Sequence, residues 1–113
     1  MNAVKRLASG APESISKGVS IIAVEGLRPG SDALVAVLEF NLEAYASSEV
    51  GANPVTEVIR ILSGAGVVLS GNRELPVRAD DWVLIEPNVQ HQVRNEGSEV
   101  LRALSMSWVE RPG

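Results

Sequence analysis

Leu38-Glu39-Phe40-Asn41-Leu42-Glu43, within a run from Ala33 to Tyr45, alternates apolar and polar side chains without a break. A period of two puts Leu38, Phe40 and Leu42 on one side of an extended chain and Glu39, Asn41 and Glu43 on the other, the pattern of a half-buried strand. Ala, Leu and Glu also favour a helix. In a helix, however, polar groups at every second position would wrap around the axis and break the apolar stripe. The stretch is therefore read as a strand, with its polar stripe in solvent.

The rest of the chain repeats this theme of short β-like runs between turn signals. Val19–Val24 precedes the Pro-Gly turn Arg28-Pro29-Gly30-Ser31-Asp32. Thr56–Leu62 and Gly66–Ser70 are β-branched-rich and joined through Ser63-Gly64-Ala65. Gly71-Asn72 then sits between two runs as a two-residue hairpin turn, since both residues accept positive φ cheaply. Trp82–Ile85, His91–Asn95 and Glu99–Trp108 follow, the last two linked by the tight turn Asn95-Glu96-Gly97-Ser98. About eight strands, no helix and no repeat predict an all-β fold, a sandwich or barrel whose closure hides the strand edges. Residues 1–18, rich in Ser, Gly and Ala, read as an N-terminal arm with at most a short strand around Val4–Leu7. Residues 19–113 make the barrel.

Composition narrows the function. A chain of 113 residues with 45% hydrophobic and 21% charged residues makes one ordinary globular domain. A net charge of −4 offers no basic surface for a phosphate backbone, so no nucleic-acid partner is expected. Lys5, Arg6, Lys17 and Arg28 are too scattered for a membrane patch, and no apolar run approaches the ~18 residues of a membrane span. With no secretory signal in the first ten residues, a cytoplasmic location is expected. Cysteine is absent, which excludes disulfides and thiolate chemistry. His91 is the single histidine, so any mechanism needing two imidazoles in one chain is excluded.

Two stretches resemble the paired motifs of the cupin superfamily, in its small RmlC-like form. Glu57, then Val58-Ile59-Arg60-Ile61-Leu62-Ser63, then Gly64 matches the second half of the first motif. The His-x-His that should precede it falls on Gly51 and Asn53, or on Val50 and Ala52. The second motif is matched by His91 and Asn95, while Asp80, Glu86 and Asn88 depart from it around Pro87. Asp80 and Asn88 replace glycines, and both residue types accept left-handed backbone, so the turns are expected to survive. The resemblance extends over residues 19–109. It implies a single-domain jelly-roll barrel, the double-stranded β-helix, with an incomplete metal site.

The same resemblance implies that Glu57 and His91 point into the barrel and face each other. Alternation then adds Ile59, Ile61 and Val93 to the inner surface and leaves Val58, Arg60 and Arg94 outside. Asn53 joins as a polar pocket residue and Tyr45, the only tyrosine, as a candidate at the rim. Three functional readings stay open. A transition-metal centre needs about three protein ligands, of which Glu57 and His91 are two and Asn53 or Glu49 a weak third. A metal-free carboxylate–imidazole pair would instead move protons in an isomerisation, cyclisation, dehydration or epimerisation. A non-catalytic binding module would keep Glu57 and His91 only as satisfied core groups. No cofactor is expected, with a divalent metal as the alternative. The expected partners are a small organic ligand and a second copy of the chain, joined by exchange of the N-terminal arm. Asp80-Asp81 is read as an exposed turn, and Trp82 and Trp108 as barrel packing or subunit contact. Ser105 and Ser107 alternate with Met106 and Trp108, and either face could line the pocket.

Overall fold

A computed structural model describes residue 4 and residues 6–24 and 34–109. The turn expected at Arg28–Asp32 lies outside the described residues. Among those residues there is no helix, and therefore none long and apolar enough to cross a membrane. Nine strands form two sheets: β1 (Glu13–Ser16), β2 (Val19–Ala23), β3 (Leu34–Leu42), β4 (Thr56–Ser63), β5 (Ala65–Ser70), β6 (Arg73–Arg78), β7 (Trp82–Ile85), β8 (Gln92–Arg94) and β9 (Leu101–Trp108). The larger sheet runs β1-β2-β3-β9-β4-β7 and the smaller β6-β5-β8, with every pairing antiparallel. Their facing sides share one core. Leu42, Ile59, Ile61, Val83, Ile85, Leu101 and Ala103 come from the large sheet, and Val68, Val77 and Val93 from the small one. This is the jelly-roll architecture the sequence predicts.

Burial alternates with a period of two along β9 and along the edge strand β7. On β9, Leu101, Ala103 and Ser105 are buried, while Arg102 is exposed. On β7, Val83 and Ile85 are buried and Trp82 and Leu84 exposed. Pro76, which cannot donate a ladder hydrogen bond, sits on β6, one of the two edge strands of the small sheet.

Turn chemistry follows the residue types. Asp80 (φ 77°) and Asn88 (φ 65°) hold the left-handed conformations that glycine would otherwise supply. In the β5–β6 hairpin, Ser70 pairs with Arg73 and only Gly71 of the two turn residues has positive φ (60°). Gly64 (φ 85°) separates β4 from β5, and a Cβ there would lie 2.7 Å from the Val100 carbonyl oxygen. Glycine is required at that close approach.

Several expectations need correction. No strand forms in the described part of 4–7; the arm's strand is Glu13–Ser16, which pairs with β2 of the same chain. The run toward Tyr45 stops at Leu42, because the chain turns there and Tyr45 adopts φ 62°. The polar stripe of β3 is not simply solvated. Glu39 accepts two hydrogen bonds from Arg102, at 3.1 and 3.2 Å, and the buried Asn41 Oδ1 has no partner. Trp82 does not pack the barrel: it is 60% exposed, with the Arg60 guanidinium 4.7 Å from its ring centroid.

Asn95 ties the barrel's end together. It is buried, and its Nδ2 donates to the carbonyls of Leu42 (3.1 Å), Glu43 (3.1 Å) and Glu99 (2.7 Å). Its Oδ1 accepts from the Gly97 N–H at 2.9 Å. One side chain thus fixes the exit of β3 against the turn that feeds β9.

Candidate functional site

β4 is hydrogen-bonded to both β7 and β9, and Glu57 lies opposite Ile85 on one side and Ser107 on the other. Alternation along β4 turns Glu57 and Ile59 toward the interior. His91 stands just before β8, where its N–H donates to the Gly51 carbonyl (2.9 Å) and its carbonyl accepts from the Gly51 N–H (3.1 Å). Gly51 is one of the positions where the first motif should carry a histidine. The segment that the resemblance aligns with the first motif therefore runs beside His91.

The two ionisable groups meet. His91 Nε2 lies 3.3 Å from Glu57 Oε1, with the side chains 14% and 19% exposed. Ser105 Oγ donates to Glu57 Oε2 at 2.5 Å. His91 Nδ1 is 3.0 Å from the Val89 carbonyl oxygen, which can only accept, so Nδ1 carries a proton. The opposite nitrogen then faces a carboxylate, and a favourable contact there requires a second proton shared between Nε2 and Oε1.

The titration behaviour agrees. For His91, the hydrogen bond to Glu57 raises the imidazole above its ordinary value; burial opposes this, and the Val89 carbonyl and the carboxylate charge add to it. For Glu57, burial pushes the carboxyl up, but hydrogen bonds from His91 and Ser105 and the imidazolium charge together outweigh burial and hold it below the usual range. Both shifts favour the charged form of their group.

The pair opens on a cavity of about 530 Å³. Its apolar wall is Ile15 from β1, Val19 and Ile21 from β2, Ala36, Leu38 and Phe40 from β3, Ile59 from β4 and Val93 from β8. Its polar side is Ser16, Ser48, Glu49, Asn53, Glu57, His91, Ser105 and Ser107. An apolar chamber with a few convergent polar groups is the usual form of a small-molecule site.

Of the residues singled out from sequence, Glu57, His91, Asn53, Ile59 and Val93 line this chamber. Two do not. Ile61 faces inward as alternation predicts, but it is fully buried in the packed core and reaches no cavity wall. Tyr45, beyond the end of β3, is 70% exposed. Sequence reasoning left the face of β9 undecided, and Ser105 and Ser107 are the residues turned to the cavity. Leu38, Phe40, Val19 and Ile21 were recoverable as the apolar side of alternating strands. Ile15 and Ser16 were not, because nothing in the arm's composition marks a strand.

The incomplete metal site can be judged from its donors. Among the described residues, no group of three or more His, Cys, Asp or Glu side chains is placed to hold a metal ion. His91 Nε2 and Glu57 Oε1 are adjacent, but Glu57 Oε2 accepts from Ser105, and neither Gly51 and Asn53 nor Val50 and Ala52, the two alignments of the His-x-His, supplies an imidazole. Two strong donors do not make the three-ligand set of a tight transition-metal centre.

A jelly-roll barrel with a carboxylate from its fourth strand and an imidazole from the approach to its eighth defines a class of small β-barrel proteins built around one interior site. The family model described as Cupin domain matches residues 38–107, more than half of the sequence, and the chain belongs to this family. No curated protein matches the sequence. A predicted oxalate decarboxylase from Thermotoga maritima is similar in structure, with a TM-score of 0.76 at 20% identity, covering 88% of this chain and 92% of the other. An RmlC-like cupin from Shewanella frigidimarina has a TM-score of 0.75 at 16% identity, covering 90% and 86%. The polyketide cyclase RemF from Streptomyces resistomycificus has a TM-score of 0.72 at 19% identity, covering 100% and 82%. At these identities the likeness is one of fold. Cupins often bind a metal.

Proposed function

We propose that this cupin binds a small organic molecule in its barrel and that Glu57 and His91 move a proton on it without a metal, as in an isomerisation or cyclisation. One observation carries the reading: an imidazole and a carboxylate 3.3 Å apart on the wall of a largely apolar cavity of about 530 Å³. Such a pair can accept a proton from one ligand atom and return it to another. The similar Streptomyces protein is a polyketide cyclase, and cyclisation is among the proposed reactions. Cytoplasmic location and a homodimer belong to the same proposal; light scattering that reads a monomer at micromolar concentration would overturn the dimer.

The test uses 2-tetralone, whose C–H beside the carbonyl is activated, with deuterium wash-in from D2O followed by NMR. The native chain should accelerate exchange, and Glu57→Gln and His91→Ala should each abolish the acceleration while leaving the fold intact. Full retention in both variants would overturn the catalytic part. Saturable binding with no exchange would make the protein a binding module. Stoichiometric Fe, Mn, Ni or Zn in chelator-free preparations would overturn the metal-free part.

A further inference from the structure

We infer that the barrel cavity selects a neutral, largely apolar ligand bearing a hydroxyl or carbonyl group, and rejects carboxylate and phosphate anions. The inference rests on the reading of Glu57 and His91 as the working pair of that cavity. Among the described residues, no Lys or Arg lines the chamber, and its ionisable side chains are Glu49, Glu57 and His91. The one imidazole is already committed, through Nδ1 to the Val89 carbonyl and through Nε2 to Glu57. An anion entering beside it would face the Glu57 carboxylate and lose its hydration with no uncommitted cation to replace the lost water. The arginines of the surrounding strands are turned away and paired: Arg60 with Asp80, Arg94 with Glu96 and Arg102 with Glu39.

The uncommitted polar groups point the same way. Ser48 Oγ accepts from the Val93 N–H and donates to the Glu49 carbonyl, and Ser105 donates to Glu57. Ser107 lines the cavity directly across the β4–β9 register from Glu57, and among the described residues its hydroxyl makes no hydrogen bond. A neutral hydroxyl beside a proton-sharing pair suits a ligand that is itself a phenol or an enolisable carbonyl. It offers a donor and an acceptor but no charge.

Two probes of matched size test this: 2-naphthol, neutral at pH 7, and 2-naphthoate, an anion. Because the chain has one histidine, its imidazole signals report a single position, the Glu57–His91 pair on the cavity wall, in an NMR titration. 2-Naphthol should move the His91 signals and bind at least tenfold tighter than 2-naphthoate, and Ser107→Ala should weaken 2-naphthol several-fold without shifting the imidazole's titration in the free protein. Equal or tighter binding of 2-naphthoate at the same signals overturns the ligand class and leaves the pair intact. If neither probe moves His91, the cavity reading falls and this inference with it.

Discussion

Replacing Asn95 by alanine should cost the fold about 2–4 kcal/mol. The Nδ2 group has two hydrogens, shared among three carbonyl oxygens at 2.7–3.1 Å, and Oδ1 takes the Gly97 N–H at 2.9 Å. That is three hydrogens' worth of bonding at roughly 0.5–1.5 kcal/mol each, in a side chain 1% exposed, where orphaned partners find no easy substitute. Against a total stability of about 5–15 kcal/mol, the loss is large. Asn95→Asp preserves the shape but replaces the amide nitrogen with an oxygen facing those carbonyls, which buries an unpaired negative charge. It should be worse than alanine at neutral pH and should recover partly in acid, where a protonated carboxyl can donate once. Urea unfolding followed by the fluorescence of Trp82 and Trp108 measures both, with m unchanged if only native contacts are lost. A cost below about 1 kcal/mol for Asn95→Ala, or an aspartate no worse than alanine at pH 7, would refute the reasoning.

Glu57→Gln should lower the His91 pKa toward or below its ordinary value, because the largest influence raising it is removed while burial remains; an imidazole NMR titration reads this directly. Ser105→Ala should raise the Glu57 pKa by deleting one of the bonds to the charged form, measurable by carboxyl 13C titration. The pair should also shape stability against pH. The His91 contribution is complete below about 6.5 and lost as pH rises through its raised folded value. The Glu57 contribution is complete above about 4.5 and lost as pH falls through its lowered one. Urea midpoints should therefore show a plateau between those values, and Glu57→Gln should flatten it. Gly64→Ala combines φ 85° with a contact 2.7 Å from the Val100 carbonyl and should cost about 1–3 kcal/mol in thermal or urea unfolding.

Much of the fold was legible because strands with one buried face write their period into the sequence. Leu38 to Leu42 alternate in the chain as they do in the sheet, whereas Trp82 to Ile85 is an unbroken apolar run whose alternation shows only in its burial. The arm was misread because Glu13–Ser16 is an exposed edge strand, held by backbone pairing that leaves no side-chain signature. In the site, Glu57 and His91 were reachable through motif spacing, and Asp80 and Asn88 through the backbone conformations they tolerate. Tyr45 failed for a different reason: alternation extrapolated past a strand end loses its meaning once the chain turns. Ile61 shows that facing inward is not the same as facing the cavity, since one end of the barrel is filled with side chains. Ser105 and Ser107 could not be chosen over Met106 and Trp108, because small hydroxyls and large apolar groups both suit an interior.

The position of β9 has a consequence for how the protein comes into being. It is the last strand of the described chain in sequence, yet it lies in the middle of the large sheet, between β3 and β4. During synthesis, the two earlier strands have no shared neighbour until residues 101–108 leave the ribosome. Closure of the sheet therefore waits on a contact of long sequence separation, a class of step that is slow. Ser105, which holds the Glu57 carboxylate, arrives on that same strand, so the acid–base pair is assembled only when the barrel itself closes.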